Sequence, residues 1–295
     1  MAAKKVGNLP YKIFLLMQTF PRVQQTGQYC LKFFKNYKTT GVIQHFISPS
    51  LLAVLLLVKA NSKQKITGKV IEEADRLYND GKYEELYSVL ESHNGSDNPE
   101  ILWRLARAIF EKCHSIKEDN KKLQYLEQAL EFVDSALRIN EECWAAHKWR
   151  AILLDYVWRC KSTKGRIIHS FDVKKHIERA IELNPTDSTS FYLLGEWCLT
   201  FAEMPWYQRK IAAAIFASPP TSTYEEALEN FKKAEETTPL FYSMNLLMLG
   251  KCYINLNNKE KAVEYLKKAV EYTIKTPDDQ KAHDEAEKLL KGLNA

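Results

Sequence analysis

Few residues of this sequence stand at spacings that could carry out a reaction. Cys143 and His147 are four apart, one helical turn, a spacing two zinc ligands can use, yet no third or fourth ligand accompanies them. His169 and His176 are two turns apart, too far for one metal on one helix. There is no HExxH pair, no GxSxG elbow and no glycine-rich phosphate loop, and no nucleophile is paired with a base. A buried thiol at Cys143 and a packed imidazole at His147 are the plainer expectation, so no metal, cofactor or enzymatic reaction is expected. The six cysteines form no CxxC pair and read as reduced thiols. What remains is the chemistry of recognition, carried by aromatic and charged side chains, and its meaning depends on the elements that hold them.

From Lys69 onward apolar residues recur at spacings of three and four, the period of amphipathic helices, and no segment alternates with period two. Punctuation falls where helices must start and stop. Asp80-Gly81 closes one and Asn98-Pro99 opens the next; Pro185 follows a third. Thr223 to Glu226 reads as a capping box, and Pro277 at a first helical position starts the last helix.

The helices repeat. Leu246, Leu249, Gly250 and Tyr253, then Ala262, Leu266 and Ala269, match the tetratricopeptide pattern, with twelve residues from Gly250 to Ala262. Ala74 and Leu86 show the same interval. Three stretched copies lie between, with gaps of 23 from Ala106 to Ala129, 22 from Ala151 to Val173 and 32 from Gly195 to Ala227. The extra length predicts longer helices or an added helix inside those units. The expected fold is therefore all-α, a tetratricopeptide-like right-handed superhelix of five antiparallel helix pairs, closed by a capping helix from Pro277 to Leu293.

In such a repeat the first helix of each pair lines the concave face. That places Trp103, Arg107 and Phe110 there, then Lys148, Ile152 and Asp155, then Tyr192, Glu196 and Leu199, then Leu247, Lys251 and Ile254. Arg107, Lys148 and Lys251 interleaved with Trp103 and Tyr192 predict a groove for an acidic peptide or a phospholipid headgroup. The alternative is that these side chains simply pack between repeats. The longest insertion holds Pro205, Trp206, Tyr207 and Arg209 and ends at Pro219-Pro220. It reads as one short helix, serving as a buttress, as a lid on the groove, or as a hydrophobic edge for a partner.

Charge divides the chain. It has 295 residues and a net charge of +5, yet its first acidic residue is Glu72. Residues 1–71 carry eleven Lys or Arg, and 72–295 carry 31 basic and 37 acidic side chains, a net of −6. The expected organisation is a basic, acid-free arm over 1–65, largely disordered, and a repeat domain over 66–295. An import signal is one reading of the arm, although it holds a single Arg. A membrane segment over 41–58 is another, interrupted by Gln44, His45, Ser48, Pro49 and Ser50 where a span needs roughly 20 apolar residues. A peripheral electrostatic arm for an acidic surface is the third.

The run FYLLGEWCLTFAEMPWYQRKIAAAIFASPPTSTYEEALENFKKAEETTP, with WRLARA at 103–108, AAHKWRAILL at 145–154 and VKKHIERAIELNP at 173–185, resembles the regulator of microtubule dynamics family, most of all its short form. The resemblance covers about 70–295, and its specific feature is the proline-bounded insertion. It implies a non-enzymatic, tetratricopeptide-like protein that associates with microtubules and spindle poles in the cytoplasm and supports chromosome segregation. It implies tubulin or acidic peptides as partners, and no nucleic acid. It also implies mitochondrial association for some members, and phospholipid binding by the repeat domain of a longer relative that tethers two organelles. That relative's long N-terminal region has no counterpart here, so its tethering role is not expected. The arm is poorly matched, and no ligand residue is transferred by the resemblance.

Overall fold

A computed structural model describes the backbone of residues 49–294 and the side chains of 64–294. The arm expected over 1–65 falls almost wholly outside the described side chains. The helical repeat lies in a compact unit, Val70–Ala295, apart from the N-terminal part of its first helix.

Among the described residues the protein is all-helical, as the apolar periodicity predicts. Helices α1 (Pro49–Asn79) and α2 (Tyr83–Glu91) make the first pair, and α3 (Pro99–Cys113) and α4 (Asp119–Ile139) the second. The third is α5 (Trp144–Lys161) with α6 (Thr163–Leu183). Helix α7 (Ser188–Ala202) pairs with α9 (Tyr224–Thr237), and α8 (Trp206–Ile215) is inserted between them. Helices α10 (Ser243–Asn255) and α11 (Lys259–Val270) form the fifth pair, and α12 (Pro277–Gly292) packs on both. The insertions are thereby explained. In the second and third pairs the extra chain lengthens helices, with α4 and α6 each reaching 21 residues against 12 in α11. In the fourth it becomes α8, which packs back on α6.

The ends are built by the residues that signal them. Asn98 Oδ1 accepts the Glu100 amide at 2.8 Å, satisfying a donor that the first turn of α3 leaves orphaned. Thr223 with Glu226, and Thr276 with Asp279, form reciprocal capping boxes. Gly81 turns the chain between α1 and α2 at φ +69°, a conformation a Cβ penalises.

Close approach within a pair needs a missing side chain. A Cβ on Gly250 would sit 2.6 Å from Leu266 Cδ2, and one on Gly195 2.6 Å from Cδ1 and Cε1 of Phe231. Burial then follows the stripes into two clusters. One joins Ala74, Leu77, Leu86 and Leu90 to α3, α4 and one side of α5; the other runs from the adjoining side of α5 to Ala282, Ala286 and Leu290 of α12. Helix α5 serves both, with Leu153 and Val157 facing the first cluster and Ala151 and Leu154 the second. No helix among the described residues is long and apolar enough to cross a membrane.

Candidate functional site

The inner-face residues lie on α3, α5, α7 and α10, and the structure shows what each touches. Trp103 is buried, and its Nε1 donates to Glu100 Oε2 at 2.9 Å beneath the Arg104 guanidinium, 4.1 Å from the ring. Arg107 is buried against Tyr78, its guanidinium 3.8 Å from that ring, and donates to Asp75 Oδ1 at 2.9 Å. Asp75 also receives Arg104 through both Nε and Nη2, at 2.9 and 2.7 Å. One carboxylate thus holds two guanidinium groups.

The other two cations are also taken. Lys148 Nζ lies 3.0 Å from Asp187 Oδ1 and 4.6 Å from the Trp144 ring centre; burial lowers its pKa and the Asp187 charge opposes that. Lys251 Nζ lies 3.1 Å from Glu285 of α12. Each cation read from the sequence as a contact for an acidic ligand is therefore neutralised by a carboxylate of another helix. An acidic ligand at these positions must displace Asp75, Asp187 or Glu285.

Tyr192 is buried edge-on to Tyr242, ring centres 5.1 Å apart, with burial and then the Glu196 carboxylate raising its pKa. Glu196 keeps some accessible surface, and burial raises its pKa against the hydrogen bond from Tyr192. Phe110 packs in an aromatic cluster with His114, Trp149 and Tyr156. Leu199 and Leu247 are core residues. Asp155 is bound by Arg159 at 2.9 Å and Arg166 at 2.6 Å.

Residues outside the predicted set complete this face. Glu111 accepts the Tyr78 hydroxyl at 3.4 Å, and burial raises its pKa. Asp278 accepts the Tyr242 hydroxyl at 2.5 Å. Tyr242 in turn meets Tyr192 edge-on, so Asp278 of α12 is linked through one tyrosine to another on α7. The signal for Glu111 was its place one turn after Arg107; Asp278 had none, since it precedes the stripe of its own helix.

In the insertion, Pro205 caps α8, and Trp206 and Tyr207 are 70% and 50% exposed. Arg209 donates to the carbonyls of Met204 at 2.8 Å and Ala202 at 3.3 Å, closing the C-terminal end of α7. Pro220 is buried and Pro219 half-buried, ending the segment before the Thr223 cap.

Cys143 and His147 are not brought together. The thiol points to Glu100 Oε1 at 3.6 Å, and burial pushes its pKa up to about 11. His147 Nε2 lies 2.8 Å from the Glu141 carbonyl, which only accepts, so Nε2 carries the proton. Its Nδ1 then accepts from His176 Nδ1 at 2.7 Å, and burial holds His176 neutral, its pKa down at about 4. No group of three metal-binding side chains occurs among the described residues.

The shared carboxylate makes a stability prediction. Asp75→Asn should destabilise the protein by about 2 kcal/mol, below the full cost of breaking a buried pair because Asp75 itself is 39% exposed. Burial works to raise the Asp75 pKa, but the bonds from Arg104 and Arg107 outweigh it and hold it below 3.8. A depressed folded pKa gives stability that is complete above 3.8 and is lost as pH falls through the folded value. Urea unfolding at pH 7 and pH 3 should therefore show a smaller difference between wild type and variant at pH 3.

Comparison with known proteins adds the family. The model described as "Regulator of microtubule dynamics protein 1-3" matches residues 70–294. Regulator of microtubule dynamics protein 1 of Bos taurus is 45% identical over 252 residues, 84% of this chain and 79% of the relative. The Mus musculus protein of the same name is 48% identical over 228 residues, 76% of this chain and 74% of the relative. Regulator of microtubule dynamics protein 3 of Xenopus laevis is 36% identical over 66% of this chain, but the match spans 42% of that longer protein. A crystal structure of a thermophilic tetratricopeptide-repeat protein of Thermus thermophilus superposes with a TM-score of 0.53 at 15% identity, covering 74% of this chain and 97% of that one, which establishes the fold. With the family pattern running through every helix pair and through the proline-bounded insertion, the chain belongs to the regulator of microtubule dynamics family.

Proposed function

We propose that this protein is a non-enzymatic, microtubule-associated scaffold of the cytoskeleton and spindle that supports chromosome segregation, with the basic arm meeting the acidic tails of tubulin and the repeat domain holding partners on its inner face. The observation that carries the division of labour is the internal neutralisation of Arg107, Lys148 and Lys251. A body of net charge −6 whose inner cations are paired is a poor electrostatic match for an acidic polymer, whereas residues 1–71 carry eleven cations and no acid. Glu196, which keeps accessible surface, and Lys251, once released from Glu285, are the side chains assigned to a partner segment, while the buried Trp103 and Tyr192 brace the face from within.

Cosedimentation with stabilised microtubules tests this. Binding of the full chain should weaken as salt rises, because the contact is between exposed charges. Deleting residues 2–65 should lower the affinity at least about tenfold at low salt. Unchanged sedimentation of the deleted form would move the contact to the body and defeat the proposal.

A further inference from the structure

Two histidines between the helices of the third pair form a cluster that neither the inner face nor the microtubule reading uses. His147 of α5 and His176 of α6 are 29 residues apart, so no spacing within one helix announces them. Their Nδ1 atoms are 2.7 Å apart and their ring centres 4.8 Å apart. The difference between those distances is close to two imidazole radii, so the rings meet tip to tip and not face to face.

The opposite nitrogens are held as well. His147 Nε2 donates to the Glu141 carbonyl at 2.8 Å, and His176 Nε2 faces Asp172 Oδ1 at 3.6 Å. One ring backed by a carbonyl and the other by a carboxylate is the outer arrangement of metal-ligating histidines, because it fixes each ring and the tautomer that frees the inner nitrogen. Both rings line an open cavity of about 390 Å³ shared with Asp134, Leu137, Arg138, Glu141 and Arg150.

The charge around this cavity admits a cation. Arg150 is held by Asp134 at 2.7 Å and by Asp172 at 2.8 Å, and Arg138 donates to Ser135 at 2.7 Å. Asp134, Glu141 and Asp172 against Arg138 and Arg150 leave a net negative charge. Glu141 is exposed, and its carboxylate has no ion-pair partner among the described residues. Burial lowers the pKa of both imidazoles, so at neutral pH each is a neutral ligand and not a cation.

The donor set chooses the ion. Imidazole nitrogens suit zinc and its neighbours, whereas calcium and magnesium take oxygen sets. No third side chain among the described residues already closes the set, so the site is an open one that keeps water in its shell. We propose that His147 Nδ1 and His176 Nδ1 bind one zinc ion between α5 and α6, with the Glu141 carboxylate turned in as a third ligand. With Zn–N bonds of about 2.0 Å the two nitrogens part to roughly 3.3 Å, a small rotation of either side chain. The protons balance. Without the ion, His176 Nδ1 donates its proton to His147 Nδ1; as the ion enters, that proton leaves and Nε2, facing Asp172, takes one up. His176 stays neutral throughout, and the ion ties the two helices of one pair together.

Equilibrium dialysis of the full chain against zinc chloride should show a site that weakens at least about tenfold in His176→Gln, whose amide keeps a hydrogen bond to His147. Glu141→Gln, which leaves the carbonyl contact in place, should weaken it less. Because free thiols, including the exposed Cys160, also take zinc, nitrogen NMR of isotope-labelled histidine locates the ion. One equivalent should shift the Nδ1 resonances of His147 and His176 and place the His176 proton on Nε2. Should a variant fail to fold, these wild-type resonances decide alone. Unchanged affinity in a folded His176→Gln would overturn the proposal, as would shifts confined to other histidines or the absence of zinc binding.

Discussion

Replacing Phe231 with alanine should lower the thermal unfolding midpoint by roughly 6–20 °C, the equivalent of about 3–5 kcal/mol in a domain of this size. Phe231 has no accessible surface, and its ring covers Gly195 of the partner helix and touches Tyr192 at 5.7 Å between ring centres. Truncation there leaves a cavity walled by a glycine, which has no side chain to move into it, so the cost falls toward the upper end of the range. The converse substitution, Gly195→Ala, drives a methyl to 2.6 Å from the same ring and should cost about 1–3 kcal/mol by overpacking. Combined with Phe231→Leu, which frees part of that space, it should cost less than the sum of the two single changes by about 1 kcal/mol or more. Strict additivity, measured by urea unfolding of the four proteins, would show that the glycine and the ring are not a matched pair.

Truncation after Lys275, which removes α12, should give a largely aggregated product on gel filtration. Ala282, Ala286 and Leu290 close the last apolar stripe, and beneath them Leu246, Leu247 and Leu249 of α10 have no accessible surface. Polar contacts would be stripped as well. Ser243 donates to Asp279 at 2.6 Å and Lys251 pairs with Glu285 at 3.1 Å, so truncation leaves a buried hydroxyl and an ammonium without partners. Terminal repeats need a polar outer face for solubility, and α12 supplies it. Ala286→Asp in the full chain, which puts a charge at a position with no accessible surface, should act in the same direction without shortening the protein. A monomeric truncated form as stable as the intact protein would refute the capping role.

The fold was legible because its determinants are local. Asn98, Gly81, Thr223 and Thr276 announce helix ends within a turn of where they act, and Gly250 and Ala262 mark a close approach twelve residues apart in one hairpin. The site was less legible because its decisive partners lie about one repeat away. Arg107 meets Asp75 across 32 residues, Lys148 meets Asp187 across 39 and Lys251 meets Glu285 across 34. Reading outward-facing positions one helix at a time shows the cation and hides its counter-charge. Comparing opposite charges at the period of the repeat itself would have shown these ionic rungs between first helices of successive units. The histidine pair was missed for the same reason: His147 meets His176 across 29 residues, on the other helix of its pair.

Helix α5 carries a different implication. Arrays of interchangeable units grow or shrink by whole repeats, since each unit presents the same two faces to its neighbours. Here Leu153 and Val157 belong to one cluster while Ala151 and Leu154 belong to another, so this helix is shared by two cores. A duplicated or deleted unit at this point would have to rebuild contacts with both clusters at once. The third pair is therefore a keystone, and the number of repeats is held constant from the middle of the chain and not only from its ends.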